Sequence, residues 1–267
     1  MTPRGGRTTR PPLFHEDEMT AISHVALLAR HLPGLSAFYQ TALGLRPLAG
    51  DETRLGAGNK LLLELRPAPG AAPHDPRQAG LFHTAFLLPD RAALGRWLRH
   101  APARGIRLSG AADHGVSEAL YLDDPEGNGI EIYHDRDPAL WPREGDRIAM
   151  TTERLDLAAL AASADAPWHG APPGTVIGHV HLQVGDLAAA DAFFGGRLGM
   201  TRTFDAPGGA WYGWNGYHHH LAGNIWNSRG AGPRNPDMAG LAEVALADAA
   251  RSGQSLTDPW GTRFRFA

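Results

Sequence analysis

The amino-acid sequence predicts an α+β protein made of paired β-α-β-β-β modules, arranged as two tandem domains with mixed, mostly antiparallel half-barrel sheets. One observation is an internal duplication: residues 22–45 (ISHVALLARHLPGLSAFYQTALGL) align without a gap with residues 177–200 (IGHVHLQVGDLAAADAFFGGRLGM). The other is that the order strand, helix and three strands occurs a second time within the first half. A chain of 267 residues is long enough for two domains of ordinary size.

The elements of the first half follow from hydrophobic periodicity. Residues 1–19 show no such pattern and are predicted to be a disordered tail. The first module begins with a strand, then a helix that carries apolar residues at helical spacing and ends at a Leu-Gly pair: Leu35, Phe38, Tyr39 and Leu43. The second module reads as a strand at LFHTAFLLPD, a helix that ends at Gly105, and strands near Ile106–Leu108, Glu118–Leu122 and Gly129–Tyr133.

The second half repeats this order with shorter elements. Its duplicated segment again shows helical spacing, at Phe193, Phe194 and Leu198. GLAEVALADA matches GLFHTAFLLP in position, and DPWGTRFRFA matches DPEGNGIEIY. The prediction is therefore an N-terminal domain at 20–135 that carries the metal site, a linker rich in Pro and Asp at 136–175, and a truncated C-terminal domain at 176–267.

Composition excludes several classes of protein. A formal charge of -3 provides no basic surface for nucleic acid, and no apolar run is long enough for a membrane span. The N-terminal stretch lacks the apolar segment of a signal peptide, so we expect a cytoplasmic protein. Because the chain has no cysteine, a metal ion would have to be held by carboxylates and by some of the 14 histidines.

Three polar residues interrupt otherwise apolar strands and form the predicted metal site. His24 and His83 each lie in the first strand of a module, and Glu131 lies in the last strand of the second module. Two neutral imidazoles and one carboxylate are typical of non-heme Fe(II), because they leave coordination positions open for substrate and oxygen. Fe(II) is the expected metal, with Mn(II), Zn(II) or Ni(II) as alternatives. His114 precedes the carboxylate on a neighbouring strand, where an acid or base can lie above the metal.

The segment from residue 113 to residue 131 resembles a family signature. Asp-His-x-Val-Ser, Leu-Tyr, Asp-Pro-Glu-Gly and the following Glu131 are similar to the signature of extradiol ring-cleaving dioxygenases of the vicinal oxygen chelate superfamily. The resemblance implies that His24, His83 and Glu131 bind iron, that His114 is an acid or base, and that Tyr121 binds a substrate oxygen. It also implies a small aromatic diol and O₂ as the partners. Two fused halves make a dimer unnecessary for assembling a site, but exposed strand edges often pair, so we expect a monomer or homodimer.

A second set of polar residues lies in the second half. His179 repeats His24, Glu243 repeats His83, and His218 or His220 falls opposite the Glu131 position. These residues either form a second metal site or pack between the domains with Trp211, Trp214 and Trp226. Arg265 stands where the second copy would need its carboxylate, and a positive charge there opposes metal binding.

Two other functions remain open at this point. A glyoxalase-type isomerase would need a fourth ligand, for which Glu64 is the candidate; the alternative for Glu64 is pairing with Arg66. A protein that sequesters an aromatic ligand would use the same fold without a metal.

Overall fold

The computed structural model describes residues 20–145 and 147–267, so the predicted disordered tail at 1–19 lies outside the described residues. The first half contains two modules. Module 1 comprises β1 (Ala21–Ala29), α1 (Leu32–Ala42), β2 (Arg46–Leu48), β3 (Asp51–Ala57) and β4 (Lys60–Pro67). Module 2 comprises β5 (Gly80–Leu87), α2 (Arg91–Ala103), β6 (Gly110–Asp113), β7 (Ser117–Asp123) and β8 (Gly129–Asp135).

The segment at 136–175 contains short elements of its own. They are a 3₁₀ turn (Pro138–Leu140), the two-residue strands β9 (Arg143–Glu144) and β10 (Arg147–Ile148), and α3 (Leu157–Ala162). The side chain of Asp156 accepts a hydrogen bond from the Ala159 N–H and so caps α3. The segment contacts module 2: the Arg91 side chain on α2 donates a hydrogen bond to the Ala159 carbonyl on α3.

The second half contains two shorter modules. Module 3 comprises β11 (Val176–Gln183), α4 (Leu187–Ala190) with a π-helical turn (Asp191–Gly195), β12 (Thr201–Ala206), β13 (Gly209–Gly213) and β14 (Leu221–Asn224). Module 4 comprises β15 (Gly240–Ala247), a 3₁₀ turn (Ala249–Arg251), β16 (Ser255–Thr257) and β17 (Arg263–Phe266). Gly44 and Gly199, each one residue before the end of a duplicated segment, have φ of +67° and +72°, the left-handed conformation that ends a helix.

Each of the two large sheets joins one module from each half of the chain. The first, here called the 1–4 sheet, has the strand order β16-β17-β15-β1-β4-β3-β2. The second, the 2–3 sheet, has the order β12-β13-β14-β11-β5-β8-β7-β6. The first strands of the paired modules lie antiparallel at the centre, β1 against β15 and β5 against β11. The predicted fold of paired modules is confirmed, but modules 1 and 2 lie in different sheets.

One predicted strand lies elsewhere. Strand pairing of β6 begins at Gly110, opposite Tyr121, and not at Ile106–Leu108. Ile106 and Leu108 instead lie partly buried against the core, directly after the left-handed Gly105 that ends α2. These two residues are apolar because the loop between α2 and β6 packs on the core. Hydrophobic periodicity does not distinguish such a loop from a short strand.

Trp97 joins the two long helices of the first half. Its side chain is fully buried, and its Nε1–H donates a hydrogen bond of 2.8 Å from α2 to the Ala42 carbonyl at the end of α1. We expect Trp97→Ala to lower the free energy of unfolding by roughly 3–5 kcal/mol, because it leaves a large cavity and an unpaired carbonyl. Chemical denaturation measures this loss, and Leu140→Ala is the control because Leu140 is 71% exposed. Equal losses in both variants would contradict the assignment of Trp97 to the core.

No helix among residues 20–145 and 147–267 is long and apolar enough to cross a membrane.

Candidate metal centre

Three buried side chains meet in the 2–3 sheet. The Nε2 atoms of His83 and His179 lie 3.3 Å apart, and Glu131 Oε2 lies 3.0 Å from the first and 3.1 Å from the second. All three residues are buried. Among the described residues, this is the one group of three or more His, Cys, Asp or Glu side chains whose ligand atoms all lie close enough together to share a metal ion.

The register of three strands produces this arrangement around Ala85. Glu131 on β8 pairs with Ala85 on one side, and His179 on β11 pairs with Ala85 on the other. His83 lies two residues before Ala85 on β5 and therefore on the same face of the sheet. The small Ala85 side chain leaves the space into which the three ligand groups converge. Residue 129 beside His83 must be a glycine, because a Cβ atom at this position would lie only 2.1 Å from the Phe82 carbonyl oxygen.

The chemistry of the three atoms fits a cation. A neutral imidazole has one unprotonated nitrogen, and a carboxylate oxygen only accepts hydrogen bonds, so three lone pairs can point at one position. Burial alone would raise the pKa of Glu131, but the adjacent His179 and His83 hold it well below its ordinary value. Burial lowers the pKa of His179, which keeps its imidazole in the neutral form that binds metals.

His24 does not belong to this group, which corrects the expected ligand set. It lies in the 1–4 sheet, where its Nε2 is 3.3 Å from Arg265 Nη2 and 3.9 Å from Glu64 Oε2. Burial and the Arg265 charge lower its pKa. The physical reason is the pairing of the modules: β1 pairs with β15, so His24 is carried away from module 2, and its repeat-equivalent His179 takes the place beside His83.

The second proposed cluster is divided among three places. Glu243 lies in the 1–4 sheet and accepts a hydrogen bond of 2.8 Å from Arg265 Nε. His218 Nε2 lies 2.8 Å from Asp135 Oδ1, and His220 Nδ1 accepts the Trp214 backbone N–H at 3.2 Å. Burial, with the nearby His218 and His179, lowers the pKa of His220 to about 3. These residues therefore do not assemble a second site: His179 lies with His83 and Glu131, His218 and His220 precede β14 of the 2–3 sheet, and Glu243 on β15 lies in the 1–4 sheet.

His114 and Tyr121 lie beside the triad of His83, Glu131 and His179: Tyr121 is on β7 opposite Glu131, whereas His114 lies in the turn between β6 and β7 and not on the predicted strand. His114 Nε2 is 2.7 Å from the Tyr121 hydroxyl, and His114 Nδ1 is 2.7 Å from the Thr151 carbonyl oxygen. A carbonyl only accepts, so His114 carries a proton on Nδ1. The Tyr121 hydroxyl is shared between His114 Nε2 and the Glu131 carboxylate. Burial and the adjacent Glu131 raise the pKa of Tyr121 well above its ordinary value, so this hydroxyl is protonated.

A cavity of about 550 Å³ extends from the triad. Its wall includes the aromatic side chains of Phe82, Phe204, Trp211 and Trp226. The segment between the halves also reaches it, through Met150, Thr151 and Thr152. The cavity is large enough for a substituted aromatic ring, and it presents the triad together with His114 and Tyr121 to whatever binds there.

Comparisons with known proteins agree with the module pattern. The family model described as Glyoxalase/Bleomycin resistance protein/Dioxygenase superfamily matches residues 21–132. A catechol-2,3-dioxygenase of Bacillus subtilis (strain 168) is 38% identical over 243 residues, which are 85% of this chain and 82% of that protein. The chain belongs to this superfamily.

A second relative and a solved structure of similar fold are more distant in sequence. A biphenyl-2,3-diol 1,2-dioxygenase of Rhodococcus globerulus is 28% identical over 123 residues, or 43% of this chain and 63% of that protein. The structure of glyoxalase I from Zea mays superposes with a TM-score of 0.58 at 17% identity, covering 93% of this chain and 92% of that one. The second likeness shows that the superfamily fold extends over both halves of the chain.

Two histidines of this superfamily member line the cavity but were absent from the predicted site. His181 lies on β11 opposite His83, and its Nε2 accepts a hydrogen bond of 3.1 Å from the Asn224 amide. His219 lies with its ring centroid 4.1 Å from that of His179. Burial lowers the pKa of both well below the ordinary value. His181 lies two residues after His179 on the same strand, so strand alternation places both side chains on one face and could have identified His181 from the sequence. His219 lies outside the strands, where alternation gives no prediction.

In the 1–4 sheet of this superfamily member, an ion-pair network occupies the positions of the triad. His24, Glu243 and Arg265 stand at the repeat positions of His179, His83 and Glu131, respectively. Glu243 also accepts a hydrogen bond of 3.2 Å from Arg66, and Glu64 is 2.8 Å from Arg66 Nε. The arginines thus take the place of a cation in this sheet.

This network has a testable effect on acid stability. Burial would raise the pKa of Glu243, but the Arg265 hydrogen bond and charge hold it below the ordinary value. A carboxyl with a lowered folded-state pKa stabilises the protein above its unfolded pKa of about 4.5, and the stabilisation is lost as pH falls through the folded value. We expect Arg265→Met to lower the free energy of unfolding at pH 7 by about 1.5–3 kcal/mol and to reduce its dependence on pH below 4.5. Urea unfolding at several pH values measures both; an unchanged slope would contradict the pairing.

Proposed function

We propose that the protein is an extradiol dioxygenase that opens a catechol-type ring with O₂ at Fe(II) held by His83, Glu131 and His179. One observation carries the proposal: two imidazoles and one carboxylate converge on the floor of an aromatic-lined cavity. The relationship to a catechol-2,3-dioxygenase supports it. In this reaction a ring carbon–carbon bond beside the diol breaks and both oxygen atoms enter the product, so no external reductant is needed.

Bound iron would supply the positive charge that lowers the phenol pKa of the diol and the redox chemistry that lets O₂ react. The protein supplies position and exclusion of water. Phe82, Phe204 and Trp211 offer ring faces against which an aromatic substrate stacks. The hydrogen bond of 2.7 Å between the Tyr121 hydroxyl and His114 Nε2 supplies a path along which a proton of the substrate diol can move.

A glyoxalase-type isomerase is less well supported because its fourth ligand has no counterpart. Glu64 lies in the 1–4 sheet, opposite Ala26 and paired with Arg66. The equivalent position in the 2–3 sheet, opposite His181, is Ala222. An alanine cannot bind a metal, so the triad keeps the open positions that a diol and O₂ require.

Oxygen uptake tests the proposal. The protein is loaded anaerobically with Fe(II), given catechol, and followed with an oxygen electrode and by absorbance. We expect rapid uptake with formation of a yellow product in the wild type and in Glu64→Gln, and loss of both in Glu131→Gln. The Glu64→Gln variant is the matched control because it removes a carboxylate charge in the other sheet. Bound iron without uptake for any catechol tested would contradict the proposed reaction.

A further inference from the structure

Carboxylates line the cavity beside the triad, but arginine and lysine do not. Among the described residues, the side chains of the cavity wall include Asp123 and Glu131 and no guanidinium or ammonium group. Glu131 belongs to the candidate metal centre, so a bound cation would neutralise its charge. Asp123 then remains as the carboxylate that a substituent on a bound ring can meet. A positively charged substituent is attracted into such a cavity, and a negatively charged one is repelled.

The 2–3 sheet places Asp123 within reach of a ring bound at the triad. Asp123 lies two residues after Tyr121 on β7 and therefore on the same face of the sheet. Gly129 pairs with Asp123 on one side and with His83 on the other, so Asp123 is two strands from His83. At the usual spacing of strands this is roughly 10 Å. A diol ring that carries a two-carbon arm spans that separation, and Gly129 has no side chain to obstruct the arm.

The Asp123 side chain is exposed and available to a ligand. Within residues 20–145 and 147–267 it makes no hydrogen bond or ion pair with another side chain. Asp113, at the end of the neighbouring strand β6, is instead paired with Arg136. His74 lies close enough to feel the charge of Asp123, but burial lowers the pKa of His74, so this imidazole does not neutralise the carboxylate at pH 7.

Aromatic rings occupy the part of the cavity wall on the other side of the triad. Trp211 lies on β13, three strands from His83 on the side away from Asp123. The ring centroids of Phe82 and Trp226 are 5.4 Å apart with their planes at 75°, and those of Trp211 and Trp226 are 6.5 Å apart. Ring faces carry partial negative charge and attract cations. A substituent that extends this way therefore meets the same preference for positive charge as one that extends towards Asp123.

We propose that Asp123 determines substrate specificity and that the cavity takes a catechol whose ring substituent carries a positive charge, such as a primary ammonium group. The inference rests on the proposed function, because it names the class of diol that the triad would receive. The ammonium group contacts Asp123 or the aromatic rings, while the two hydroxyls point to the triad. Catechols that carry a carboxylate are the class that the cavity disfavours, because no arginine or lysine of the described wall is there to pair with them.

A charge series of catechols tests the proposal without turnover. Three diols carry an aminoethyl, a propyl or a carboxymethyl group at the same ring carbon, so they differ little in size and differ in charge. Their affinities are measured by anaerobic titration calorimetry on protein equilibrated with Zn(II), which does not support ring cleavage. We expect the aminoethyl catechol to bind about fivefold more tightly than the propyl catechol and at least about tenfold more tightly than the carboxymethyl catechol. Equal affinities, or no binding of the aminoethyl catechol, would overturn the proposal.

Variants of Asp123 separate its charge from other effects. In Asp123→Asn we expect the preference for the aminoethyl over the propyl catechol to fall to about twofold, which is the part that the aromatic rings supply. In Asp123→Lys we expect the carboxymethyl catechol to bind more tightly than the aminoethyl catechol. Asp51→Asn is the matched control, because Asp51 is an exposed aspartate at the end of a strand in the 1–4 sheet. An unchanged order of affinities in Asp123→Lys would overturn the role of Asp123.

Binding and oxygen uptake fail separately. The predicted order of affinities in a protein that, loaded with Fe(II), oxidises none of the three catechols would contradict the proposed reaction and leave the charge preference in place. Oxidation of all three catechols with equal kcat/KM and equal affinity would support the reaction and overturn the role of Asp123.

Discussion

His179→Ala is expected to reduce bound Fe(II) to a minor fraction and to lower ring-cleaving activity by about 100-fold or more. Loss of a partner in the outer shell of a metal site already costs roughly 10–100-fold, and loss of a ligand removes a bond to the ion itself. The remaining His83 and Glu131 lie 3.0 Å apart and would bind divalent ions weakly. Metal analysis after gel filtration, followed by oxygen uptake at saturating catechol, measures both effects.

His24→Ala is the matched control for His179→Ala. The two histidines occupy the same position of the duplicated segment and are similarly buried, but His24 contacts Arg265 and Glu64 instead of the triad. We expect His24→Ala to retain full iron content and activity. Loss of iron in His24→Ala, with retention in His179→Ala, would show that the ligand set is the one expected from pairing modules within the first half.

Tyr121→Phe and His114→Gln are each expected to lower kcat by roughly 10²-fold while iron content stays unchanged. The two side chains share one hydrogen bond of 2.7 Å, and acid–base groups typically contribute about 10²–10⁴-fold. Neither side chain belongs to the group that could hold the metal. Steady-state kinetics on iron-loaded protein measures the loss.

The double variant tests whether the pair acts as a unit. Because each residue needs the other to move the proton, the double variant should be little slower than either single one. Thr53→Val, which removes a hydroxyl that bonds Asp51 in the more exposed first half of β3, is a control expected to leave kcat unchanged. If the fold reduction of kcat in the double variant equals the product of the two single reductions, the two residues act independently, which would contradict a shared proton path.

The modules of the fold were predictable because their signal is local. Strands and helices were found from periodicity and from the duplication of residues 22–45 at 177–200. The partner of each module was not predictable in this way. Module 1 has the same apolar faces whether it pairs with module 2 or with module 4, and the choice depends on contacts between residues more than 200 positions apart, such as Ala21 with Ala247.

The site shows the same division between local and long-range information. His83 and Glu131 were identified because each interrupts an apolar strand, and both belong to module 2. The sequence favours His24 as the third candidate ligand because each half of the chain reads as one domain. The duplication places His179 at the position equivalent to His24. The sequence therefore predicts a histidine as the third member of the group correctly, but it does not show which of the two copies lies beside His83.

The location of the iron tests the central claim most directly. Anomalous X-ray scattering at the iron edge, measured on crystals of the Fe(II)-loaded protein, places the ion without reference to activity. We predict one strong peak among His83 Nε2, His179 Nε2 and the Glu131 carboxylate. A peak beside His24 and Glu64 in the 1–4 sheet, or beside His218, would contradict the assignment of the metal centre to the 2–3 sheet.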